Sequence, residues 1–121
     1  MQARQHGNAA EALALEFLIK RGYSRLDQNF NRRCGELDLV VLTPDRTTIV
    51  FVEVRYRRRD DFGSAIDSVD ANKRKKLGVT ALAWLQKHKV CDSPVRFDVI
   101  GIKPDGDKVS VDWVQDAIEF D

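Results

Sequence analysis

The 121-residue chain has no apolar run approaching the roughly 20 residues that a membrane-spanning helix requires. Its start, MQARQHGNAAEALALEF, is amphipathic rather than a basic segment followed by an apolar block, so no export signal is expected. Cys34 and Cys91 lie far apart with no Cys-x-x-Cys or Cys/His spacing, which argues against a disulfide framework and against a structural zinc site. Internal repeats and low-complexity tracts are missing too. A dominant charge is also lacking: 20 Lys and Arg face 19 Asp and Glu, a net charge of +1. Binding to nucleic acid through a global basic excess is therefore not the expectation. Together these absences predict a soluble, cytoplasmic protein with no membrane partner. The length and the 43% hydrophobic content predict a single domain over residues 1–121 with a real core.

Charge is nevertheless concentrated locally. Arg55, Arg57, Arg58 and Arg59 are nearly continuous, and Lys73 to Lys76 forms a second basic run. Each run is either a solvated face or a phosphate-contacting patch on a neutral body.

In chain order, Gly7 to Arg21 has Ala, Leu and Phe at helical intervals, basic residues in its last turn and Gly22 as a stop, which predicts a helix. On that helix Glu16 and Lys20 share the polar face, whereas Glu11 sits among Ala14, Leu15 and Leu18. Glu11 either reaches solvent from the edge of the stripe or is aimed at something polar in the sheet. Tyr23 to Phe30 reads as a first strand. Arg57 to Asp67 has neither period and contains Gly63, which predicts an exposed loop able to face a substrate. Asp70 suits the cap of a second helix from Ala71 to about Lys89, with Leu77, Ala81, Trp84 and Leu85 as its stripe. Lys73 lies one turn before Leu77 on that stripe, while Arg74, Lys75 and Lys76 turn to solvent. Val95 to Ile102 and Lys108 to Trp113 read as strands joined at Pro104-Asp105-Gly106, and Val114 to Phe120 as a tail with a helical turn. The order αβββαββ predicts an α/β fold: a three-stranded meander, a crossover to a parallel strand, and a mixed sheet with helices on both faces.

The stretch GELDLVVLTPDRTTIVFVEVRY, Gly35 to Tyr56, is the most informative. Leu37 to Leu42 and Thr48 to Tyr56 are apolar strands that each carry acids. Pairing them about Asp45 and Arg46 sets Asp38 opposite Glu53 and Glu36 opposite Arg55. Carboxylates directly across an antiparallel pair repel one another. Either a divalent cation lies between them, or the acids face solvent and pair with Arg55 and its neighbours.

Gly7 with Ala10-Glu11, Asn29-Phe30, GELDL from Gly35, FVEVR from Phe51, Lys73 and RFDV from Arg96 together resemble the YraN-like family of small uncharacterised bacterial proteins. That family is similar to the restriction-endonuclease-like superfamily, which includes archaeal Holliday-junction resolvases. The resemblance implies a restriction-endonuclease-like sheet and a PD-(D/E)xK nuclease site. In that site Asp38 matches the first acid, Glu53 the second and Glu11 the first-helix glutamate, and all three are implied metal ligands. Hard divalent ions take oxygen ligands, so the implied cofactor is Mg²⁺ or Mn²⁺. Arg55 stands where the pattern has Lys, and an arginine stays protonated and cannot readily act as a base. Lys73 is the candidate to supply the missing amine. Asp38, Glu53, Arg55 and Lys73 are then the catalytic set and Arg57, Arg58 and Arg59 the phosphate contacts. The implied activity is hydrolysis of DNA, including branched DNA, in repair or recombination; a catalytically silent nucleic-acid-binding or adaptor protein is the alternative. The resolvase likeness also points to a homodimer.

Overall fold

The computed structural model describes residues 2–58 and 70–118, residues 2–8 as backbone only. Arg59 and most of the expected loop, residues 59–69, lie outside the described residues. The order is α1 (Gln2–Ile19), β1 (Ser24–Arg32), β2 (Gly35–Leu42), β3 (Ile49–Tyr56), α2 (Ala71–Lys87), β4 (Val95–Asp105) and β5 (Lys108–Val114). No helix among the described residues is long and apolar enough to cross a membrane.

Helix α1 starts five residues before the expected Gly7, because its first turns carry no apolar stripe that a pattern could register. It ends at Ile19, two residues before the expected Arg21, and the turn that follows closes at the expected Gly22, whose φ of +91° permits the Tyr23 N–H to reach back to the Leu18 carbonyl at 3.1 Å. Asp70 caps α2 by accepting from the Lys73 N–H at 2.8 Å. The buried stripe of α2 is the expected one with Thr80 added.

The five strands form one mixed sheet in the order β1-β2-β3-β4-β5, antiparallel except for β3 and β4, which α2 connects in parallel. This is an α/β sheet of αβββαββ order. Alternating residues feed two clusters. Val40, Ile49, Phe51, Phe97 and Val99 pack with Leu77, Ala81, Trp84 and Leu85 of α2. Leu39, Val41, Val50, Val52, Ile100 and Ile102 pack with Ala10, Ala14 and Leu18 of α1. The helices therefore cover opposite faces, as the period of two in the strands requires.

The alternation fails around Asp38. Leu37 joins the cluster under α2 and Leu39 the cluster under α1, although residues two apart on a regular strand share a face. Asp38 stands between them, and opposite it on β1 Asn29 is skipped by the register and has φ of +55°. Asparagine is one of the few residues that tolerate this left-handed backbone.

Beyond Val114 the chain makes a turn rather than a helix over residues 115–118, and that turn is held by a buried acid. Asp98, 1% exposed, accepts from Arg96 Nε and Nη2 at 2.9 Å each, from Trp113 Nε1 at 3.0 Å and from the Asp116 N–H at 2.9 Å. Arg96 Nη2 also donates to the Tyr23 hydroxyl at 2.9 Å. One carboxylate thus ties β4, β5, the tail and the exit from α1. Its replacement in Asp98→Ala leaves an arginine, an indole and an amide without their acceptor. The expected result is a loss of about 3 kcal/mol or more in urea unfolding, and a loss below about 1 kcal/mol would contradict the role.

Candidate metal centre

The pairing of β2 with β3 runs Leu42↔Ile49, Val41↔Val50, Val40↔Phe51 and Leu39↔Val52, and then stops. One more step on the same diagonal would set Asp38 opposite Glu53, the expected juxtaposition. Both strands continue past this point, but each is held only by its outer neighbour: β2 by β1 as far as Arg32↔Gly35, and β3 by β4 as far as Tyr56↔Ile102. A gap therefore opens in the sheet at the two acids. Asp38 closes its near end, since Oδ2 accepts from the Val54 N–H at 2.8 Å and so replaces a ladder bond with a side-chain bond.

Around this gap the structure groups Glu11, Glu36 and Asp38, with one carboxylate oxygen of each within 4.8 Å of the others. Glu11 is buried, Asp38 half-buried and Glu36 exposed, so the group has one open side. Glu11 takes the second of its two expected positions, aimed into the sheet from α1 rather than out to solvent. Its Oε1 is buried and has no hydrogen-bond partner.

Glu53 lies beside this group with its charge engaged differently. Its Oε1 sits 3.2 Å from Lys73 Nζ and 3.3 Å from Arg55 Nε, and its Oε2 is buried without a hydrogen-bond donor. Lys73 faces the sheet, as its place on the α2 stripe suggested, whereas Arg74, Lys75 and Lys76 are exposed. Arg55 makes this ion pair with Glu53, while Glu36, expected opposite it, stands with Glu11 and Asp38. Arg57 begins a departure from the site: its N–H donates to the Ile102 carbonyl at 2.7 Å and its guanidinium lies 4.0 Å from Asp112.

The electrostatics follow from packing acids together. Burial pushes the Asp38 carboxyl up to about 8, the Glu53 charge adds to the rise, and the Val54 N–H opposes it. Burial likewise raises Glu11, with Glu36 adding to the rise and the Asn29 side chain opposing it. A divalent ion bound there would displace the proton that burial favours on Asp38.

These residues fit a hard divalent cation. The donors are all carboxylate oxygens, and a buried oxygen of Glu11 has no partner of its own. Glu11, Glu36 and Asp38 would hold the ion, with Glu53 adjoining. Glu36 is the residue that pattern reasoning assigned elsewhere, to Arg55. Its i, i+2 spacing from Asp38 in GELDL was the available signal.

Residues 10–102 match the sequence profile of the uncharacterised protein family UPF0102. A UPF0102 protein of Stutzerimonas stutzeri is 44% identical over 119 residues, covering 98% of each chain. Another, from Vibrio campbellii, is 44% identical over 117 residues, covering 95% of this chain and 93% of its own length. Among solved structures, Pyrococcus furiosus SfsA in complex with Ca²⁺ is similar at 14% identity and a TM-score of 0.32. That similarity covers 93% of this chain and 62% of the SfsA chain, so the chain spans less than two thirds of it.

The raised Asp38 pKa has a testable sign. The folded state binds this proton more tightly than the unfolded chain does, so its stabilising contribution is full at acidic pH and is lost as pH rises from about 4 through about 8. In EDTA the melting temperature of the wild type is expected to fall more steeply over this range than that of Asp38→Asn. Mn²⁺ is expected to raise it again at the upper end, adding about 3 kcal/mol of unfolding free energy when the ion is at 100 times its Kd. Identical pH profiles for the two proteins, with no effect of Mn²⁺, would contradict the assignment.

Proposed function

The chain belongs to the UPF0102 family, and from that starting point we propose that it is a divalent-metal-dependent endonuclease that hydrolyses phosphodiester bonds in DNA, branched DNA included. The observation that carries this reading is the convergence, at the gap between β2 and β3, of a carboxylate group with an unpartnered buried oxygen and a Lys–Arg pair on the adjoining Glu53. A divalent cation there supplies Lewis acidity toward a phosphoryl oxygen and makes water acidic enough to attack phosphorus.

The chain's own residues then divide the work. Asp38, braced by the Val54 N–H, presents its oxygens at a fixed height in the gap. Glu11 brings a second carboxylate from α1, and Glu36 a third at the open side. Glu53 holds Lys73 and Arg55 so that two cations stand next to the anionic group. Such a pair suits the extra negative charge that accumulates on phosphate oxygens as water attacks, and an arginine can meet two of those oxygens at once. A guanidinium does not readily exchange its proton in catalysis, so in this reading Lys73 hands a proton to the departing oxygen. Arg58 and Arg59 follow β3 in sequence and would contact neighbouring phosphates without reading bases, with Arg57 joining them only by leaving Asp112.

A second reading is favoured by one feature, the Arg55 in the place of a lysine and its engagement with Glu53. In it the protein binds nucleic acid and does not cut it, serving as an adaptor on the same fold.

Incubation with single-stranded, duplex and four-way-junction DNA in Mg²⁺ or Mn²⁺ separates the two. Cleavage of at least one form is expected, falling by about 100-fold or more in Asp38→Ala and in Glu53→Ala, since loss of even an indirect support of a metal ligand costs 10–100-fold. Cleavage that survives both substitutions would overturn the site, and retention of DNA with no cleavage of any form would leave the adaptor reading standing.

A further inference from the structure

A second set of cations gathers near the same end of the sheet from β1, the β1–β2 turn and α2, which carry none of the proposed metal ligands. Since β1, β2 and β3 are successively antiparallel, the β1–β2 turn lies at the end where β3 finishes. Arg32 and Arg33 at that turn are exposed. Arg32 does not swing freely: Nη1 donates to the Asn31 carbonyl at 2.9 Å, and its guanidinium lies 4.2 Å from the centre of the Phe30 ring. Phe30 is itself buried in the cluster under α2, and Lys87 Nζ approaches the same ring at 5.6 Å.

Gly35 sets the spacing of this surface. A Cβ there would stand 2.8 Å from Thr80 Oγ1 and 3.5 Å from Lys76 Cβ, so only glycine lets α2 press this closely on the turn and bring Lys76 beside it. Lys76 and Lys87 are both exposed, and their spacing of about three helical turns puts them on one flank of α2. Strands lie about 4.8 Å apart, so the turn is about 5–10 Å, one or two strand spacings, from the gap between β2 and β3.

The chemistry of the flank is that of a polyanion site. A stacked arginine with a fixed plane has less freedom to lose on meeting a phosphate than a solvated one. The one aromatic ring at its centre, Phe30, is 6% exposed and covered by Arg32, so the flank offers charge with no platform for an unpaired base. That combination suits the backbone of a duplex rather than stacked single-strand bases.

We propose that Arg32, Arg33, Lys76 and Lys87 form a docking flank for the phosphate backbone of double-stranded DNA, positioning it so that a phosphate beyond the flank enters the gap at Asp38. The flank rests on the nuclease reading for its purpose, but it is separable from that reading by experiment. It accounts for recognition in a chain of net charge +1, because cations from the β1–β2 turn and from α2, distant in sequence, are brought to one side.

Fluorescence anisotropy of a labelled duplex in Ca²⁺, followed over a series of salt concentrations, tests it, with cleavage monitored separately in Mn²⁺. The proteins are wild type, Arg32→Gln with Arg33→Gln, Lys76→Gln with Lys87→Gln, and Lys20→Gln as a control that removes a single cation away from the flank. Lys20 is exposed, pairs with Glu16 at 3.1 Å and lies at the end of α1 that leads to the opposite end of the sheet. Each double variant is expected to lose at least about 10-fold in affinity at about 0.1 M salt and to flatten the salt slope by about 0.9 per contact removed. The control should match wild type. Wild-type affinity and slope in both double variants would overturn the flank while leaving cleavage, if seen, intact. A wild-type protein that neither retains duplex nor cuts DNA would overturn the flank and the nuclease reading together.

Discussion

The structure depends on one interruption, the end of β2–β3 pairing at Leu39↔Val52. A sheet that zipped one step further would press Asp38 and Glu53 against each other at the distance where like charges destabilise most. Instead the strands part, and the Val54 N–H that the parting exposes is satisfied by Asp38 itself. The outer neighbours β1 and β4 keep both strands extended through the break, so the gap has rigid walls. Asn29, with its left-handed backbone, lies across from Asp38 where Leu37 and Leu39 part to opposite faces.

The helices complete what the gap begins. Helix α1 lies on one face and inserts Glu11 toward the acids, while α2 lies on the other and sends Lys73 to Glu53. Negative charge thus approaches from one side of the sheet and positive charge from the other. The Asp98 network, at the far side of β4, contributes no group to the gap but holds the strand against which β3 keeps its course. The UPF0102 relatives match this chain along nearly its whole length.

Much of this was legible in the residues. The hydrophobic alternation and the turn at Asp45-Arg46 gave the hairpin diagonal, and the misfit of Glu11 on an apolar helical face left two positions open, of which the folded chain takes the buried one. Lys73 could be separated from its neighbours by helical phase alone. Other features were hidden for physical reasons. Local pattern carries no sign of where a ladder stops, because that depends on the repulsion it would create and on the strands outside it. Glu36 was set against Arg55 by extending the ladder past its end. The start of α1 has no apolar stripe to announce it, and the role of Asp98 depends on Trp113 and Asp116, which only tertiary packing brings to it. The basic flank joins Arg32 to Lys76 across more than forty residues, a juxtaposition visible only in the fold.

The central claim is that Glu11, Glu36 and Asp38 hold a divalent cation at the gap in the sheet. Anomalous diffraction from crystals of the protein grown with Mn²⁺ addresses it without reference to any substrate. A peak bounded by oxygens of Glu11, Glu36 and Asp38, and lost in Asp38→Asn crystals, is the predicted result. Well-diffracting crystals with no anomalous density in the gap, at an ion concentration that loads other carboxylate sites on the surface, would contradict it.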